Sequence, residues 1–378
     1  MYSAAGYAGR PAGAAPAFPF SGVPMPVTAV FKLGGMGDLL MATPALRAYR
    51  KSFPGERIVF VVGASNAAVL AGNPHIDELL AVDDAALFRG SWVGQAREAA
   101  RLIGLLRRTG AERVFVLHRD WRWNLVARLS GIRERYGFAR DWRGAFLTRA
   151  AATTEREHES VKYQKVFALR DGFRSDGLAM ELHRAPGAAP VPVLDALRAP
   201  GGPWIALSPG GASNAKEDMD TRRWPAEHYR ALVALLLERT PCRLLLIGAA
   251  RDAEATRPLR LDPARTLDLA GKTGPAETAA ALRHCALLIT HDSGPMHLGA
   301  AAGIPVIGLF GPTQPVEKVP LTHPLSRYLW HGHELACSPC YRDGVQPPCS
   351  HPTYKFCMVS IAPEDVFEHA EEILGKRS

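Results

Sequence analysis

The sequence predicts an α/β protein built from two doubly wound parallel sheets. Short apolar runs that suit buried strands alternate with helical segments along residues 27–185, and the same alternation resumes at 204. A glycine-rich turn follows the first predicted strand of each half, at 33–37 and at 208–216. The intervening stretch 186–203 is rich in Pro and Gly, as is typical of a linker. Two similar halves facing each other would form one cleft, where ligands commonly bind.

Length, composition and charge agree with this organisation. A chain of 378 residues is too long for one typical core, and 47% apolar with 22% charged residues is ordinary for a globular protein. The sequence has no uninterrupted apolar run long enough to cross a membrane. The net charge of +8 favours anionic partners such as phosphorylated sugars, nucleotides or an acidic membrane surface. Nucleic acid is not expected, because the basic residues are dispersed and form no recognised motif.

The first 26 residues are predicted to be a disordered leader. They are rich in Ala, Gly and Pro, and Arg10 is their only charged residue. Prolines interrupt the apolar centre that a secretory signal would need. Met25 is a second candidate start, because the folded pattern begins within two residues of it.

Strands and helices alternate through the first half. The predicted strands are 29–33, 57–62, a short strand reaching 80, and 113–117, and the predicted helices are 39–50 and 94–108.

The glycine turn at 33–37 is the most distinctive motif of the first half. Its three glycines allow a sharp turn and close approach of a ligand to the backbone. Its Gly-Gly-x-Gly spacing is not the dinucleotide fingerprint, so no nicotinamide cofactor is indicated. Asp38 follows at once, at a predicted helix start. It is either a residue that stabilises the helix N-terminus or a carboxylate that points into a ligand crevice.

Arg119 and Arg122 follow the strand 113–117. Ligands of doubly wound sheets bind at the carboxyl ends of strands, so these arginines and Asp38 can share one crevice. The alternative is an exposed loop in which Asp120 pairs locally with the arginines.

The second half repeats the alternation. Its predicted strands are 204–207, 244–248, 287–290 and 305–310, and a closing helix is predicted over Pro363 to Gly375.

Two loops of the second half suit phosphate oxygens, because glycines free backbone N–H groups beside helix starts. They are 208–216, which contains Gly211 and Ser213, and the turn Asp292-Ser293-Gly294, with His297 one helical turn on. Arg222 and Arg223 can donate to a diphosphate or can lie exposed at a helix start. Asp218 and Asp220 imitate a metal-binding Asp-x-Asp, but their polar surroundings argue against a metal there.

The six cysteines divide into two groups. Cys242 and Cys285 lie in or beside apolar segments and are predicted core thiols. The other four are Cys337, Cys340, Cys349 and Cys357, and they include a Cys-x-x-Cys knuckle. Four thiolates suit a structural iron or zinc ion. Two disulfides, or four unrelated thiols, are the alternatives.

Together these segments resemble glycosyltransferase family 9, the heptosyltransferases of the lipopolysaccharide inner core. The resemblance runs from about Val27 to Leu374. It is carried by Leu33-Gly34-Gly35-Met36-Gly37-Asp38 with Thr43-Pro44-Ala45-Leu46, by 216–225 ending Arg222-Arg223-Trp224-Pro225, by Leu269-Ala270-Gly271-Lys272-Thr273, by 291–297, and by Gly311-Pro312-Thr313.

The resemblance implies a GT-B architecture, with two Rossmann-like domains and a central cleft. On this basis 27–185 is expected to be the acceptor domain, 204–361 the nucleotide-sugar domain with its Cys-rich segment 337–357, and 362–378 the closing helix. The implied reaction is an inverting transfer from ADP-heptose without a catalytic metal. A cytoplasmic location is expected, and peripheral contact with the inner membrane is left open.

The resemblance and the loop patterns described above together suggest roles for individual residues. Asp38 is the expected general base. Donor-binding residues are expected to be Gly211, Ser213, Arg222, Thr273, Asp292, Ser293, Gly294 and His297. Acceptor-binding residues are expected to be Gly35, Met36, Arg119 and Arg122. Arg222 stands where the family usually has lysine, which keeps the charge and changes its geometry.

The acceptor is open at this stage. The lipopolysaccharide core is expected, but the four cysteines resemble the iron-binding motif of autotransporter heptosyltransferases, which glycosylate proteins. A non-catalytic scaffold with the same fold is a candidate of another class. A sugar-nucleotide epimerase or hydrolase on this fold is a further rival.

Overall fold

The structure is a computed structural model that describes residues 25–139, 142–154, 156–188, 191, 193–213, 217–256, 259, 261–319, 323–342 and 345–376. All but the last two residues of the predicted leader 1–26 lie outside these ranges.

The first half is a six-stranded parallel sheet with its helices. The strands are β1 (Val27–Lys32), β2 (Arg57–Gly63), β3 (Glu78–Val82), β4 (Arg113–Val116), β5 (Glu134–Phe138) and β6 (Arg149–Ala151). The helices are α1 (Met36–Ser52), α2 (Asp84–Arg89), α3 (Trp92–Arg108), α4 (Trp121–Leu129) and α5 (Glu159–Phe167).

The second half has the same architecture. Its strands are β7 (Trp204–Ser208), β8 (Arg243–Leu246), β9 (Thr266–Asp268), β10 (Cys285–His291), β11 (Val306–Phe310) and β12 (Arg327–Trp330). Its helices are α6 (Val193–Arg198), α7 (Ala226–Arg239), α8 (Ala253–Thr256), α9 (Pro275–Leu282), α10 (Gly294–Ala302), α11 (Pro315–Lys318), α12 (Phe356–Val359) and α13 (Pro363–Gly375).

Both sheets have one strand order. The first is β3-β2-β1-β4-β5-β6 and the second is β9-β8-β7-β10-β11-β12, so each has its first strand beside its fourth. This is the Rossmann order, and the predicted α/β class with two doubly wound sheets is confirmed. Each sheet therefore opens a crevice at the carboxyl ends of its central pair, β1 with β4 and β7 with β10.

The strands missed from the sequence lie toward the edges of the sheets. They are β5, β6, β9 and β12, which have three to five residues each and start with or contain charged or polar residues. Their apolar runs are too short to be recognised as strands from the sequence. They form strands because each one pairs with a neighbouring strand of the sheet. The stretch 186–203, predicted as a linker, contains the short helix α6. The domain boundaries themselves stay a prediction.

The two halves pack directly on each other. The largest apolar cluster joins residues of α1, such as Leu40 and Met41, to residues of the second half, such as Met296 and Leu288. The N-termini of α1 and α10 therefore face each other, and the candidate site lies where they meet.

Candidate active site

The glycine turn after β1 places Asp38 in the first turn of α1. A β-carbon at Gly34 would lie 3.1 Å from Oδ2 of Asp38 and 3.2 Å from Cε of Lys32. An added methyl group would therefore crowd the two charged side chains, which lie side by side against this glycine. The N-cap residue of α1 is Gly35, which has no side chain with which to cap the helix.

Two lysines from different halves flank the Asp38 carboxylate. Nζ of Lys318, at the end of α11, lies 3.4 Å from Oδ1, and Nζ of Lys32, at the end of β1, lies 3.9 Å from Oδ2. Burial alone would raise the pKa of Asp38. Lys32, Lys318 and His297 outweigh that effect and hold this pKa well below its usual range. The carboxylate stays ionised at neutral pH, and its side chain is 32% exposed to the cleft.

The carboxyl ends of β1 and β4 are joined by hydrogen bonds. Lys32 Nζ donates to the Leu117 carbonyl at 3.0 Å, and the Leu33 N–H donates to Nε2 of His118 at 2.7 Å. Burial lowers the pKa of His118 well below its ordinary value, so the ring stays neutral and Nε2 can accept. These hydrogen bonds hold Lys32 and Leu33 in place, and they thereby fix the start of the glycine turn that leads to Asp38.

Arg119 extends the charged cluster, whereas Arg122 does not. Arg119 forms an ion pair with the buried Glu159, which also contacts Lys162 at 3.0 Å. Burial would raise the pKa of Glu159, but Lys318, Arg119 and Lys162 lower it to about 2. Arg122 is 70% exposed and pairs with Asp120. The local-pair alternative therefore describes Arg122 better than the shared-crevice alternative.

The second half presents the N-terminus of α10 to the cleft. Gly211, with φ of +92°, lies against Ser293, because a β-carbon there would be 3.2 Å from Cβ of Ser293. A β-carbon at Gly294 would lie 3.2 Å from Cβ of Met36, across the domain boundary. The structure thus brings the predicted donor turn and the predicted acceptor turn together. The positive end of the nine-residue helix α10 therefore lies at this point, where it favours an anion.

The Arg222 side chain is held in place by its neighbours and keeps hydrogen-bond donors for a polar ligand. Its Nη1 lies 3.3 Å from Oδ2 of Asp292, and its guanidinium lies 4.1 Å from the centroid of the Tyr341 ring. The buried Nε and Nη2 atoms have no hydrogen-bond partner among the described residues. Unsatisfied buried donors are costly, so a ligand that accepts from them gains affinity.

Three other predicted donor-binding residues have buried atoms without a hydrogen-bond partner among the described residues, and one of them is Oδ2 of Asp292. The buried Ser213 Oγ and His297 Nδ1 lack hydrogen-bond partners among the described residues. Burial lowers the pKa of His297 to about 4, so its ring is neutral at physiological pH. Thr273 differs, because its hydroxyl lies 2.9 Å from that of Thr278 within its own turn.

The four clustered cysteines line one small cavity of about 20 Å³ behind the loop that follows β11. All are free thiols, and burial followed by the neighbouring thiols Cys340, Cys349 and Cys337 raises the pKa of Cys357 to about 12. Among the described residues no three of these sulfurs lie within 4.8 Å of one another. Cys242 and Cys285 are buried, as predicted.

Asp218 and Asp220 are engaged in ion pairs. Asp218 pairs with Arg223, and Asp220 pairs with Lys355 at 3.2 Å. Arg223 also donates to the Gly211 carbonyl at 2.9 Å, so it supports the donor loop.

Sequence reasoning missed Lys32, His118, Glu159, Lys162 and Lys318. Lys32 carried a signal, because it is a lone cation closing an apolar strand. Lys318 carried little, because only the fold brings α11 to Asp38 across 280 positions of sequence.

The two Rossmann sheets face each other across a cleft. One side of the cleft holds a carboxylate, and the other side holds the N-terminus of a helix. This arrangement is that of a GT-B glycosyltransferase. The family model for glycosyltransferase family 9 (heptosyltransferase) matches residues 99–347. The chain belongs to this family, as the sequence motifs indicated.

Curated relatives agree with this assignment. The chain is 24% identical to lipopolysaccharide heptosyltransferase 2 of Salmonella typhimurium over 90% of its own length and 96% of that protein. It is 29% identical to lipooligosaccharide heptosyltransferase 2 of Haemophilus influenzae over 180 residues, an alignment that covers 46% of this chain and only 48% of that protein.

Solved structures confirm the GT-B fold. The E. coli ADP-heptose LPS heptosyltransferase II superposes with a TM-score of 0.70 at 22% identity, over 93% of this chain and 99% of that one. The dodecameric iron-containing heptosyltransferase TibC, in complex with ADP-D-β-D-heptose, superposes with a TM-score of 0.57 at 13% identity, over 94% of this chain and 77% of that one. No helix in the described ranges is long and apolar enough to span a membrane.

Proposed function

We propose that this protein transfers a heptose from ADP-heptose to an acceptor hydroxyl, with inversion and without a metal in the chemistry. The observation that carries the proposal is the position of Asp38, between two lysines and opposite the N-terminus of α10. The names of the relatives support the donor, since the similar proteins are heptosyltransferases and one was solved with an ADP-heptose.

Asp38 would act as the general base. The acceptor oxygen attacks the anomeric carbon, the bond from that carbon to the phosphate oxygen breaks, and the hydroxyl proton passes to Asp38. A carboxylate with a depressed pKa is a weak base, so it removes the proton late, when the forming C–O bond has made the hydroxyl acidic. Attack from the face opposite the leaving group inverts the anomeric centre.

The second half would stabilise the departing diphosphate. Negative charge grows on the phosphate oxygens as the bond breaks, and fixed donors are most effective there. Arg222 supplies two unsatisfied donors, and the backbone at Ser293 and Gly294 supplies the helix N-terminus. Gly211 and Ser213 complete the loop around this position. Thr273 is proposed to lie on the nucleotide side.

The acceptor domain would be 27–185, with Gly35, Met36 and Arg119 nearest to the base. We propose the lipopolysaccharide core as acceptor, because the curated relatives are named for it. The net charge of +8 suits an anionic acceptor and peripheral contact with the inner membrane from the cytoplasm. Arg122 would contribute only through its surface charge.

A protein acceptor is the second candidate, and the cysteine cavity is the observation that favours it. We propose that Cys337, Cys340, Cys349 and Cys357 hold one structural iron or zinc ion, and the fold relative TibC is itself an iron-containing heptosyltransferase. Four thiolates facing one cavity fit such an ion, although the loop would have to contract around it. Four protein ligands leave no position for catalysis.

Product analysis tests the function. Purified protein is incubated with isotopically labelled ADP-heptose and either truncated lipopolysaccharide core or candidate acceptor protein, and products are identified by mass spectrometry. Label in the core oligosaccharide supports the proposal, and label in protein moves the assignment to the second candidate. Donor binding without turnover on any acceptor would indicate a scaffold. Free heptose alone would indicate a hydrolase, and an epimerised sugar nucleotide would indicate an epimerase.

A further inference from the structure

Two histidines and a glutamate converge in the first half, away from the candidate active site. They are His75, Glu181 and His183, and they form the group among the described residues whose potential metal-ligand atoms all lie within 4.8 Å of one another. We propose that this triad is a structural site for a divalent transition-metal ion such as Zn²⁺.

The distances fit metal ligation. Nε2 of His75 lies 3.0 Å from Oε1 of Glu181, and Nε2 of His183 lies 3.3 Å from the same oxygen. Nitrogen and oxygen ligands about 2.1 Å from a tetrahedral zinc ion are separated by about 3.4 Å. The triad therefore has nearly the edge lengths of a zinc site before any ion is added.

The hydrogen bonding of the triad is also compatible with a bound ion. The buried Oε1 of Glu181 and Nε2 of His183 have no partner with hydrogen-bond geometry among the described residues, although they lie at hydrogen-bond distance. Oε1 is shared between the two rings at ion-pair distance, and a cation bound between the three atoms would satisfy all of them at once.

Local structure builds the triad from both sides. In the extended segment around Glu181, residues two apart share a face, so Glu181 and His183 point together while Met180 and Leu182 are buried. The N–H of His75 donates to Oδ1 of Asn73 at 2.9 Å, which fixes the turn before β3.

The second carboxylate oxygen and the adjoining backbone are already anchored. Oε2 of Glu181 accepts from Arg47 at 3.3 Å, and the Glu181 N–H donates to the Thr43 hydroxyl at 3.1 Å. Gly72 lies against the backbone of Ala185, because a β-carbon there would be 2.6 Å from it. The two chain segments are therefore held together independently of any ion, so the ligands are preorganised.

The position indicates what the ion would do. Residues 168–188 contain no helix or strand, and they lead out of the first half toward α6. An ion at the triad would fasten this segment to the turn before β3 and, through Arg47 and Thr43, to the helix that carries Asp38. Three protein ligands leave one position for water. The inference does not depend on the transfer reaction proposed above.

Metal binding can be tested separately from the cysteines. Chelator-treated protein with all four clustered cysteines replaced by serine is titrated with Co²⁺ and Zn²⁺, with cobalt absorption and calorimetry as readouts. We expect one saturable site per chain, weakened at least tenfold by His75→Ala, Glu181→Gln and His183→Ala. The control His284→Ala should bind like the parent.

Folding of the serine variant is not essential to the test. In the wild-type chain, thiolate ligation to cobalt gives intense near-ultraviolet charge-transfer bands, and His/Glu ligation does not. A cobalt absorption component outside those bands that disappears in His183→Ala supports the site, whether or not the cysteines also bind cobalt. No saturable binding, or binding unchanged by both histidine substitutions, overturns it.

Discussion

Gly37 of α1 and His297 of α10 are in direct contact across the domain boundary. A β-carbon at Gly37 would lie 2.4 Å from Cδ2 and 2.9 Å from Nε2 of the histidine, which is itself buried. The absence of a side chain at one position therefore lets the two helix N-termini approach. That approach brings His297 within electrostatic range of Asp38 and contributes to its lowered pKa.

Gly37→Ala is expected to push the two helices apart. The added methyl group overpacks a closed contact, which typically costs about 1–3 kcal/mol of stability. We expect a lower melting temperature for Gly37→Ala than for the wild-type protein. We also expect its kcat/KM to fall by more than the loss of stability explains, because the base and the donor site move apart. Gly35→Ala is the stability control, since a β-carbon there has nothing within 4 Å. Equal melting temperatures for both variants would contradict the contact.

Asp38→Asn is expected to lower kcat by about 10²–10⁴-fold, because the amide keeps the shape and loses the base. Donor affinity, measured by titration with ADP, should be nearly unchanged. Asp83→Asn at the start of α2 is the matched control, because asparagine caps as well as aspartate there. Activity within tenfold of wild type would show that the base lies elsewhere.

Lys318→Met should change the pH dependence. Because the pKa of Asp38 is lowered in the folded protein, its ionised form contributes stability above the unfolded pKa of about 3.9, and this is lost as pH falls through the folded value. Removing Lys318 raises that folded pKa.

We therefore expect the acid-unfolding midpoint of Lys318→Met to lie at a higher pH than that of the wild-type protein. Lys51→Met serves as control, because Lys51 pairs with the distant Asp176 at 2.7 Å. An unmoved acid-unfolding midpoint in Lys318→Met would mean that Lys318 does not control the pKa of Asp38.

Arg222→Lys is expected to raise the KM for the donor about 10- to 100-fold. Lysine keeps the charge but loses the fork of donors and the stacking on Tyr341. Arg239→Lys is the control, because Arg239 also lies over a ring, that of Phe367, but on the outer surface. A donor KM that stays within twofold would remove Arg222 from the diphosphate site.

The cysteine cavity is tested by elemental analysis of protein purified without chelators. We expect about one iron or zinc ion per chain that is lost in a Cys337→Ser/Cys349→Ser variant and kept in Cys285→Ala. Any ion at the histidine–glutamate triad is counted separately, as the part lost in His183→Ala. Four freely titrating thiols in metal-free native protein would exclude the cysteine site.

Much of the fold follows from local patterns. Runs such as Ile58 to Val62 are apolar at every position, which only a strand buried on both faces of a parallel sheet requires. Pro363 followed by two acidic residues sets the start of α13 at the predicted residue. The edge strands escaped prediction because their few residues owe their conformation to a neighbour.

The sequence by itself determined the α/β class, the two glycine turns, the family motifs and the positions of Asp38 and of the Asp292–His297 turn, because each depends on residues close in the chain. Only the tertiary structure decided which charges surround Asp38, that Arg119 belongs to its cluster while Arg122 pairs outward, and that His75 meets Glu181 and His183. The contacts of Arg119 with Glu159, of His75 with Glu181 and of Lys318 with Asp38 join residues from about 40 to 280 positions apart in sequence. The packing of the two sheets creates them, and no local pattern encodes it.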